Sequence, residues 1–322
     1  MNRHVIVLLW LCALAVHPAL SQPSVAIRPE ADSQRAPHGR GNVYAPDILR
    51  SESGLRMWFG GQGRDGHDRI HLAVSTEGGQ WAQRGVVLED SSANHCNDPS
   101  VVEANGTLFM FYTRAGSGVT DEVAVATSTD GTRWQVRGTA LAPGKPGAWD
   151  SLAVGRPSVL FADGVFRMWY DGRKDLPPDA PDPKAPKSNT SQRHVGYATS
   201  RDGIHWERHG SAPIYDHDAG GVHVLPVGGH FAMLVEGRLG TEAATSRDGI
   251  QWRRIGLLVE RADVPAEGHG HVTPFLLPDR DGAGATLFYG GAAEPAWDAN
   301  TIYSRRLSDE QWLKLKSEES TP

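Results

Sequence analysis

A seven-residue stretch, Ser200-Arg-Asp-Gly-Ile-His-Trp206, returns almost unchanged as Ser246-Arg-Asp-Gly-Ile-Gln-Trp252. Looser copies read Ser128-Thr-Asp-Gly-Thr-Arg-Trp134 and Ser75-Thr-Glu-Gly-Gly-Gln-Trp81, and a worn fifth runs from Ser304 through Leu307-Ser-Asp-Glu-Gln-Trp312. Asp-Gly accepts the positive φ of a tight hairpin turn, and the Trp opens the returning strand, where its ring can cover the turn. Five hairpins at intervals of 46 to 72 residues demand a repeat architecture.

Three further patterns keep step with the hairpin. An apolar strand precedes it: Ala45-Pro-Asp-Ile-Leu49, Asp98-Pro-Ser-Val-Val102, Arg156-Pro-Ser-Val-Leu160, Val222-His-Val-Leu225 and Val272-Thr-Pro-Phe-Leu276. An aromatic strand follows, as in Leu55-Arg-Met-Trp-Phe59 and Phe166-Arg-Met-Trp-Tyr170, then a small-residue strand that runs into the hairpin. A fourth strand begins at each Trp, and no segment reads as a convincing helix. The expected fold is all-β, a five-bladed β-propeller with four antiparallel strands per blade. The blades fill residues 43–315, after a linker or outer strand at 22–42 and before a C-terminal tail at 316–322. A β-sandwich fits less well, because it does not repeat a four-strand unit five times. The one long interruption, 174–193, is rich in Pro and Asp and reads as an extended polar loop.

The start of the chain is a separate matter. Asn2-Arg3-His4 is a short basic start, Val5 to Val16 is apolar, and Ala19-Leu20-Ser21 is a small-residue cleavage site. This reads as a secretory signal peptide at 1–21, too short for a membrane span. The expected protein is therefore secreted or periplasmic, with no membrane attachment after cleavage. Net charge is -6 without a polybasic run, which argues against nucleic acid as a partner. Of two cysteines, Cys12 leaves with the signal, so Cys96 stays alone and no internal disulfide forms. A buried small residue is the better reading of Cys96 than a nucleophile beside His95.

Blade geometry sorts the polar residues. With strands A to D numbered outward from the axis, the starts of A, the B–C loops and the D–A links share one face. The Asp-Gly hairpins share the other. The first face collects Asp47, Arg64, Asp65, His67 and Asp68 from blade 1, and His95, Asp98, Arg114, Asp121 and Glu122 from blade 2. Blade 3 adds Trp149, Asp150, Arg156, Asp171, Arg173 and His194, and blade 4 adds Asp216, His217, Asp218, His223, Glu236 and Arg238. Blade 5 adds Glu267, His269, His271, Glu294, Trp297 and Asp298. Carboxylates, cations and Trp around one central depression suit a polar ligand: carboxylates for proton transfer, Arg and His for hydroxyls or anions, Trp for a sugar face.

Asp98-Pro-Ser-Val-Val with Gly106-Thr-Leu-Phe-Met-Phe-Tyr112, Ala45-Pro-Asp-Ile, the Ser-x-Asp-Gly-x-x-Trp hairpins and Glu267-Gly-His-Gly-His271 together resemble the five-bladed propeller glycosidases. That group includes glycoside hydrolase families 43, 32, 62, 117 and 130. The resemblance implies an oligo- or polysaccharide hydrolase with three acids in the central funnel. Matched by position, Asp47 is the base or nucleophile, Asp98 orients substrate or tunes a pKa, and Glu236 protonates the leaving group, with Glu267 as second choice for the acid. His95, Arg114, Trp149, Asp150, Arg156, Asp171, Arg173, His223, Arg238, Glu267, His269 and His271 are the expected substrate-binding set.

Blade 1 departs from the pattern, because its acid follows the proline instead of preceding it. Strand alternation then leaves Asp98 open for the first role and Asp150 for the second, with His223, His269 or His271 as alternative acids. No cofactor and no bound metal are expected. A structural calcium near the axis and a zinc on the histidines stay open. Three other readings compete: a non-catalytic carbohydrate-binding propeller, a glycoside phosphorylase of the same group, and a sialidase, which would need six blades.

Overall fold

The computed structural model describes residues 22–29, 41–63, 65–77, 79–116, 119–180, 182–293 and 299–317. The expected signal at 1–21, the end of the tail, and Arg64, Glu294, Trp297 and Asp298 lie outside the described residues. The described chain enters on a short strand, β1 (Ser24–Ile27), and then forms four blades in sequence. Blade 1 is β2 (Val43–Ser51), β3 (Gly54–Gln62), β4 (Asp68–Ser75) and β5 (Ala82–Leu88). Blade 2 is β6 (His95–Ala104), β7 (Thr107–Gly116), β8 (Val119–Ser128) and β9 (Gln135–Leu141). Blade 3 is β10 (Ala153–Ala162), β11 (Val165–Arg173), β12 (His194–Ser200) and β13 (Glu207–Arg208). Blade 4 is β14 (His223–Val227), β15 (His230–Val235), β16 (Gly240–Ser246) and β17 (Arg253–Glu260). All pairings are antiparallel, and each blade is its own four-stranded sheet. This is the expected five-bladed propeller.

In blade 5 the outer strand comes from residues 22–42, one of the two readings of that stretch, and not from a fifth hairpin. The blade's inner strands are β18 (Gly270–Pro278), β19 (Ala285–Ala292) and β20 (Asn300–Arg306), but its outer strand is β1, which pairs Ser24 with Ser304 and Ile27 with Ile302. The worn fifth hairpin is therefore no hairpin. Residues Asp309–Lys316 form a helix, α1, opened by a capping box: the Ser308 hydroxyl accepts from the Gln311 amide N–H, and the Gln311 side chain accepts from the Ser308 N–H. Trp312 keeps a covering role, since its indole N–H donates to the Gly282 carbonyl at 3.1 Å.

Three of the four true hairpins, those of blades 2, 3 and 4, show why their sequence repeats. In blade 2 the Ser128 hydroxyl accepts the Gly131 N–H, and Asp130 Oδ1 accepts the N–H groups of Thr132 and Arg133. Trp134 Nε1 then donates to the Gly131 carbonyl at 3.2 Å. Blades 3 and 4 repeat this set, with Trp206 on Gly203 and Trp252 on Gly249. The glycine carbonyl also receives the aromatic strand of the preceding blade, by Trp58 Nε1 at 3.0 Å and Trp169 Nε1 at 2.7 Å. The motif thus locks its own turn and stitches two blades together. Gly131 has φ 75°, and a Cβ there would meet the Trp58 ring at 2.9 Å. Gly131→Ala is expected to cost at least about 1–2 kcal/mol from the left-handed backbone alone, read as a lowered urea midpoint.

Strand B of each blade lies between two neighbouring sheets, so both its faces are covered. Met57, Trp58 and Phe59, then Met110, Phe111 and Tyr112, then Met168, Trp169 and Tyr170 are all fully or almost fully buried. That is why these strands read as nearly unbroken apolar runs. Their ends carry the polar residues that open into the funnel.

Candidate active site

The innermost strand of every blade begins with the same backbone irregularity. Ala45, Asp98, Arg156, Gly221 and Thr273 all have positive φ, between 43° and 56°. In four blades this residue precedes a proline, and the ladder register shifts across the pair. The shift is a bulge that turns the first residue towards the axis. Two positions later the side chain makes a different contact. Asp47 Oδ2 accepts the Val101 N–H at 2.9 Å, Ser100 Oγ accepts the Val159 N–H at 3.0 Å, and Ser158 Oγ accepts the Val224 N–H at 2.8 Å. His223 in blade 4 reaches the backbone of Leu276 in the same way. One ring of residues faces the funnel, and a second ring, two residues on, sews each blade to the next.

This corrects the expected role of Asp47. Moving the acid past the proline takes it out of the funnel ring, where blade 1 now has Ala45, and places it in the sewing ring. Asp47 and His223 line a narrow space of about 30 Å³ on the axis that adjoins the floor of the main cavity. Burial pushes the Asp47 carboxyl up to about 7, against the single N–H from Val101. His223 lies against Phe275 at 4.2 Å, and burial drops its imidazole to about 4.

The main cavity is about 440 Å³. Of the expected residues, it brings together His95, Asp98, Arg156, Asp171, Arg173 and Glu236. Arg156 is the hub of their charges. Its Nε donates to Asp171 Oδ2 at 2.5 Å and its Nη2 to Asp171 Oδ1 at 3.3 Å, while its backbone N–H donates to Thr113 Oγ1 at 2.8 Å. Asp171 also accepts the Gly221 N–H at 3.0 Å. Glu236 pairs with Arg193 at 2.7 Å and accepts the Thr273 N–H at 3.2 Å.

Of the remaining carboxylates, Asp121 also lines the cavity and is raised by desolvation, while Asp98 and Glu236 are driven apart. Burial pushes Asp98 up to about 7; Arg156 and the Thr113 hydroxyl pull it down, while the charges of Asp171 and Glu236 add to the rise. Burial acts on Glu236 in the same direction, but Arg193 and Arg156 outweigh it and hold Glu236 below the usual glutamate range. At neutral pH the site therefore holds one carboxyl near its titration midpoint and one that has lost its proton, and such a split is what acid–base chemistry uses. His95 is held above the usual histidine range by its 3.0 Å contact with Asp68.

Several expected residues lie elsewhere, for one recurring reason. An acid in the D–A link accepts the hydroxyl of the tyrosine that ends the next strand B, or its counterpart. Asp150 takes Tyr170 at 3.1 Å and Arg208 Nε at 3.0 Å. Glu267 takes Tyr289 at 2.8 Å, the Ala262 N–H at 2.6 Å and His271 Nε2 at 3.1 Å. Asp90 takes Tyr112 at 3.1 Å and Arg114 at 3.0 Å. These are latches between each link and the blade that follows it. Asp150, Glu267, Arg114 and His271, which also bonds Thr241 at 2.9 Å, are engaged in these contacts, and none of them lines the main cavity. Trp149 stacks on Tyr170 at 5.8 Å behind Gly172, so it offers no sugar platform in the cavity. Arg238 is exposed, and neither it nor His269 lines the cavity. Cys96 is buried, and burial pushes its thiol up to about 12. Among the described residues, no group of three or more His, Cys, Asp or Glu side chains is arranged to hold a metal.

Sequence reasoning missed Tyr44, Asn97, Thr113, Leu176 and Arg193, all of which line the cavity. Arg193 carried one usable signal: it sits at the base of the long loop, next to the start of strand C, on the funnel face. Leu176, from the same loop, is held by its neighbours there: its N–H donates to the Pro186 carbonyl at 2.8 Å, and its carbonyl accepts the Ser188 N–H at 2.9 Å.

No family model matches the chain, and no curated protein sequence does. Solved structures do. A protein described as a glycoside hydrolase superimposes with a TM-score of 0.71 at 16% identity over 94% of both chains. A thermostable family-43 glycoside hydrolase gives 0.64 at 14% identity, covering 84% of this chain and 91% of its own. Zg3597, a family 117 glycoside hydrolase from the marine bacterium Zobellia galactanivorans, gives 0.64 at 16% identity, covering 88% and 90%. At such identities the likeness is one of fold: this chain shares the five-bladed propeller of those proteins.

Proposed function

We propose that the protein is a glycoside hydrolase that cleaves an oligo- or polysaccharide in the main cavity. The observation that carries this reading is the Asp98–Glu236 pair, whose environments push the two carboxyls in opposite directions within one cavity. Glycosidic cleavage needs one carboxyl to donate a proton to the leaving oxygen while another, ionised, attacks the anomeric carbon or activates water. Asp98 is the proton donor in this scheme and Glu236 the ionised partner. This exchanges the roles expected from position, because Arg193 and Arg156 favour the charged form of Glu236. Arg156 and Asp171 position both: Arg156 acts on Asp98 and Glu236 alike, and Asp171 fixes its guanidinium.

The pH dependence follows from these charges. Turnover needs Asp98 protonated, so kcat/KM falls as pH rises through about 7. It needs Glu236 ionised, so the acid limb lies below the ordinary glutamate range. A pH–rate profile on oligosaccharides checks this, and activity that keeps rising above pH 8 would contradict Asp98 as the acid. Release of reducing ends from a polysaccharide panel tests the reading as a whole. Saturable sugar binding without any release would leave a carbohydrate-binding propeller, and release only with inorganic phosphate would leave a phosphorylase.

The basic start, apolar run and Ala19-Leu20-Ser21 site support export with cleavage after Ser21. Among the described residues no helix is long and apolar enough to cross a membrane.

A further inference from the structure

We propose that the cavity selects an acidic sugar, and that Arg173 is the receptor for its carboxylate. The inference rests on the glycosidase reading and names the substrate class of the same site.

Three arginines, Arg156, Arg173 and Arg193, line one cavity. Two of them have partners. Arg156 is held by Asp171, and Arg193 by Glu236 at 2.7 Å. Arg173 makes no ion pair among the described residues, and its Nε is buried with no hydrogen-bond partner. Its charge is disfavoured by burial and by the two neighbouring guanidinium groups, and Asp171 and Asp218 act on it only through space. Holding an unpaired guanidinium donor in such a place is costly unless something negative completes it. The latch arginines elsewhere in the propeller show the contrast. Arg114 and Arg208 each end on a carboxylate within 3.0 Å.

The shape of the group indicates what completes it. A guanidinium presents donors in a planar fork that matches a carboxylate two to two. One unpaired arginine balances one charge, which a carboxylate supplies and a phosphate exceeds. Leu176, Ala153, Val154 and Gly172 line the same cavity, so apolar surface lowers the local dielectric and strengthens the pairing. In the same cavity, Asn97 Oδ1 is also buried without a partner, an acceptor suited to a sugar hydroxyl. A cation and a hydroxyl acceptor in one cavity describe a uronic acid better than a neutral sugar.

The test is binding by titration calorimetry on an Asp98→Asn protein, so that turnover does not enter. The probes are methyl glucuronoside and methyl galacturonoside, their neutral parent glycosides, glucose 6-sulfate and inorganic phosphate. At least one uronoside should bind about tenfold or more tighter than its neutral parent. Adding Arg173→Gln should remove that preference while leaving any neutral-glycoside affinity in place, and Arg173→Lys should retain part of it. Equal affinity for acidic and neutral probes, no uronoside binding, or a preference for sulfate or phosphate would overturn the proposal. If Arg173→Gln does not fold, the probe preference of the Asp98→Asn protein and of its Arg173→Lys derivative still decides. Hydrolysis is scored separately, on the wild type with uronate-containing oligosaccharides. A uronoside preference without sugar release would overturn the hydrolase reading alone.

Discussion

An Asp98→Asn protein is expected to lose about 10³-fold in kcat, within the 10²–10⁴ range typical of losing a general acid, and to keep its fold and sugar affinity. The substitution is clean. Asn is among the residues that tolerate positive φ, so the bulge at φ 51° survives. Thr113 and Arg156 keep an oxygen partner. Asp47→Asn is the matched control. If Asp47 only sews blade 1 to blade 2, its kcat stays within a few-fold of wild type, because an amide oxygen still accepts the Val101 N–H. The two variants should share one signature in stability, because both carboxyls are raised to about 7; activity is what separates them. A buried carboxyl raised to about 7 favours folding below its unfolded pKa and loses that contribution as pH rises through 7. Removing the charge therefore helps most at high pH. The stability of Asp47→Asn relative to wild type should rise by about 3 kcal/mol between pH 5 and pH 8, taken as two pKa units of linkage. A dead Asp47→Asn protein would return the catalytic role to Asp47.

The pairing of these two aspartates also marks where sequence was legible and where it was not. The hairpins were readable because their chemistry is local: Ser, Asp, Gly and Trp bond to one another within seven residues. The aromatic strands were readable because burial on both faces leaves an unbroken apolar run. The face carrying the cavity followed from strand counting. What could not be read was which of several polar residues on that face turn inward. Alternation predicts that for a regular strand, but each inner strand starts with a bulge, and two residues separate the funnel ring from the sewing ring. Asp150 and Glu267 misled for another reason. A buried acid in a link looks the same in sequence whether it meets a ligand or the tyrosine of the next blade. The repeat itself held the answer, since Tyr112, Tyr170 and Tyr289 recur at the same place in strand B. At the other end of the chain, Ser308-Asp-Glu-Gln311 before Trp312-Leu313 was a capping box that the hairpin pattern masked.

The propeller concentrates charge at its centre because everything else about the blade is used up. Strand B is buried on both faces, the hairpins bond internally, and the link acids are tied to tyrosines. The bulged starts of strand A, the ends of strand B, the loops after them and the first residues of strand C face the cavity. Those positions hold Asp98, Arg156, Asp171, Arg173, Arg193 and Glu236. A carboxyl that has to keep its proton near pH 7 needs such a place. Asp98 is buried there, and one guanidinium, Arg156, is shared among three acids instead of being committed to one.

Removing the closing strand is expected to have the largest effect on stability. β1 completes blade 5 from the opposite end of the fold, so the ring is closed by pairing, not by chain continuity. Ile27 is 2% exposed and packs in the cluster that holds Ile302, Phe288 and Phe59, with Trp81 against it. Gln83 of blade 1 donates to the Arg28 carbonyl at 3.0 Å, so the same short segment touches both blades at the seam. Ile27→Ala alone should cost about 2–5 kcal/mol, the range for truncating a buried isoleucine, read from denaturant unfolding. Deleting 22–29 should cost more and also leave β20 as an open edge, which promotes association through unpaired backbone groups. Light scattering on heating would register that association, and an unchanged midpoint and scattering profile would show that the ring closes by other means. The seam also constrains processing. Cleavage after Ser21 leaves two residues, Gln22 and Pro23, ahead of an intact β1, whereas a cut beyond Ile27 removes it. The N-terminal sequence of exported protein should therefore begin at Gln22, and a stable, active form that begins after Ile27 would contradict the role assigned to β1.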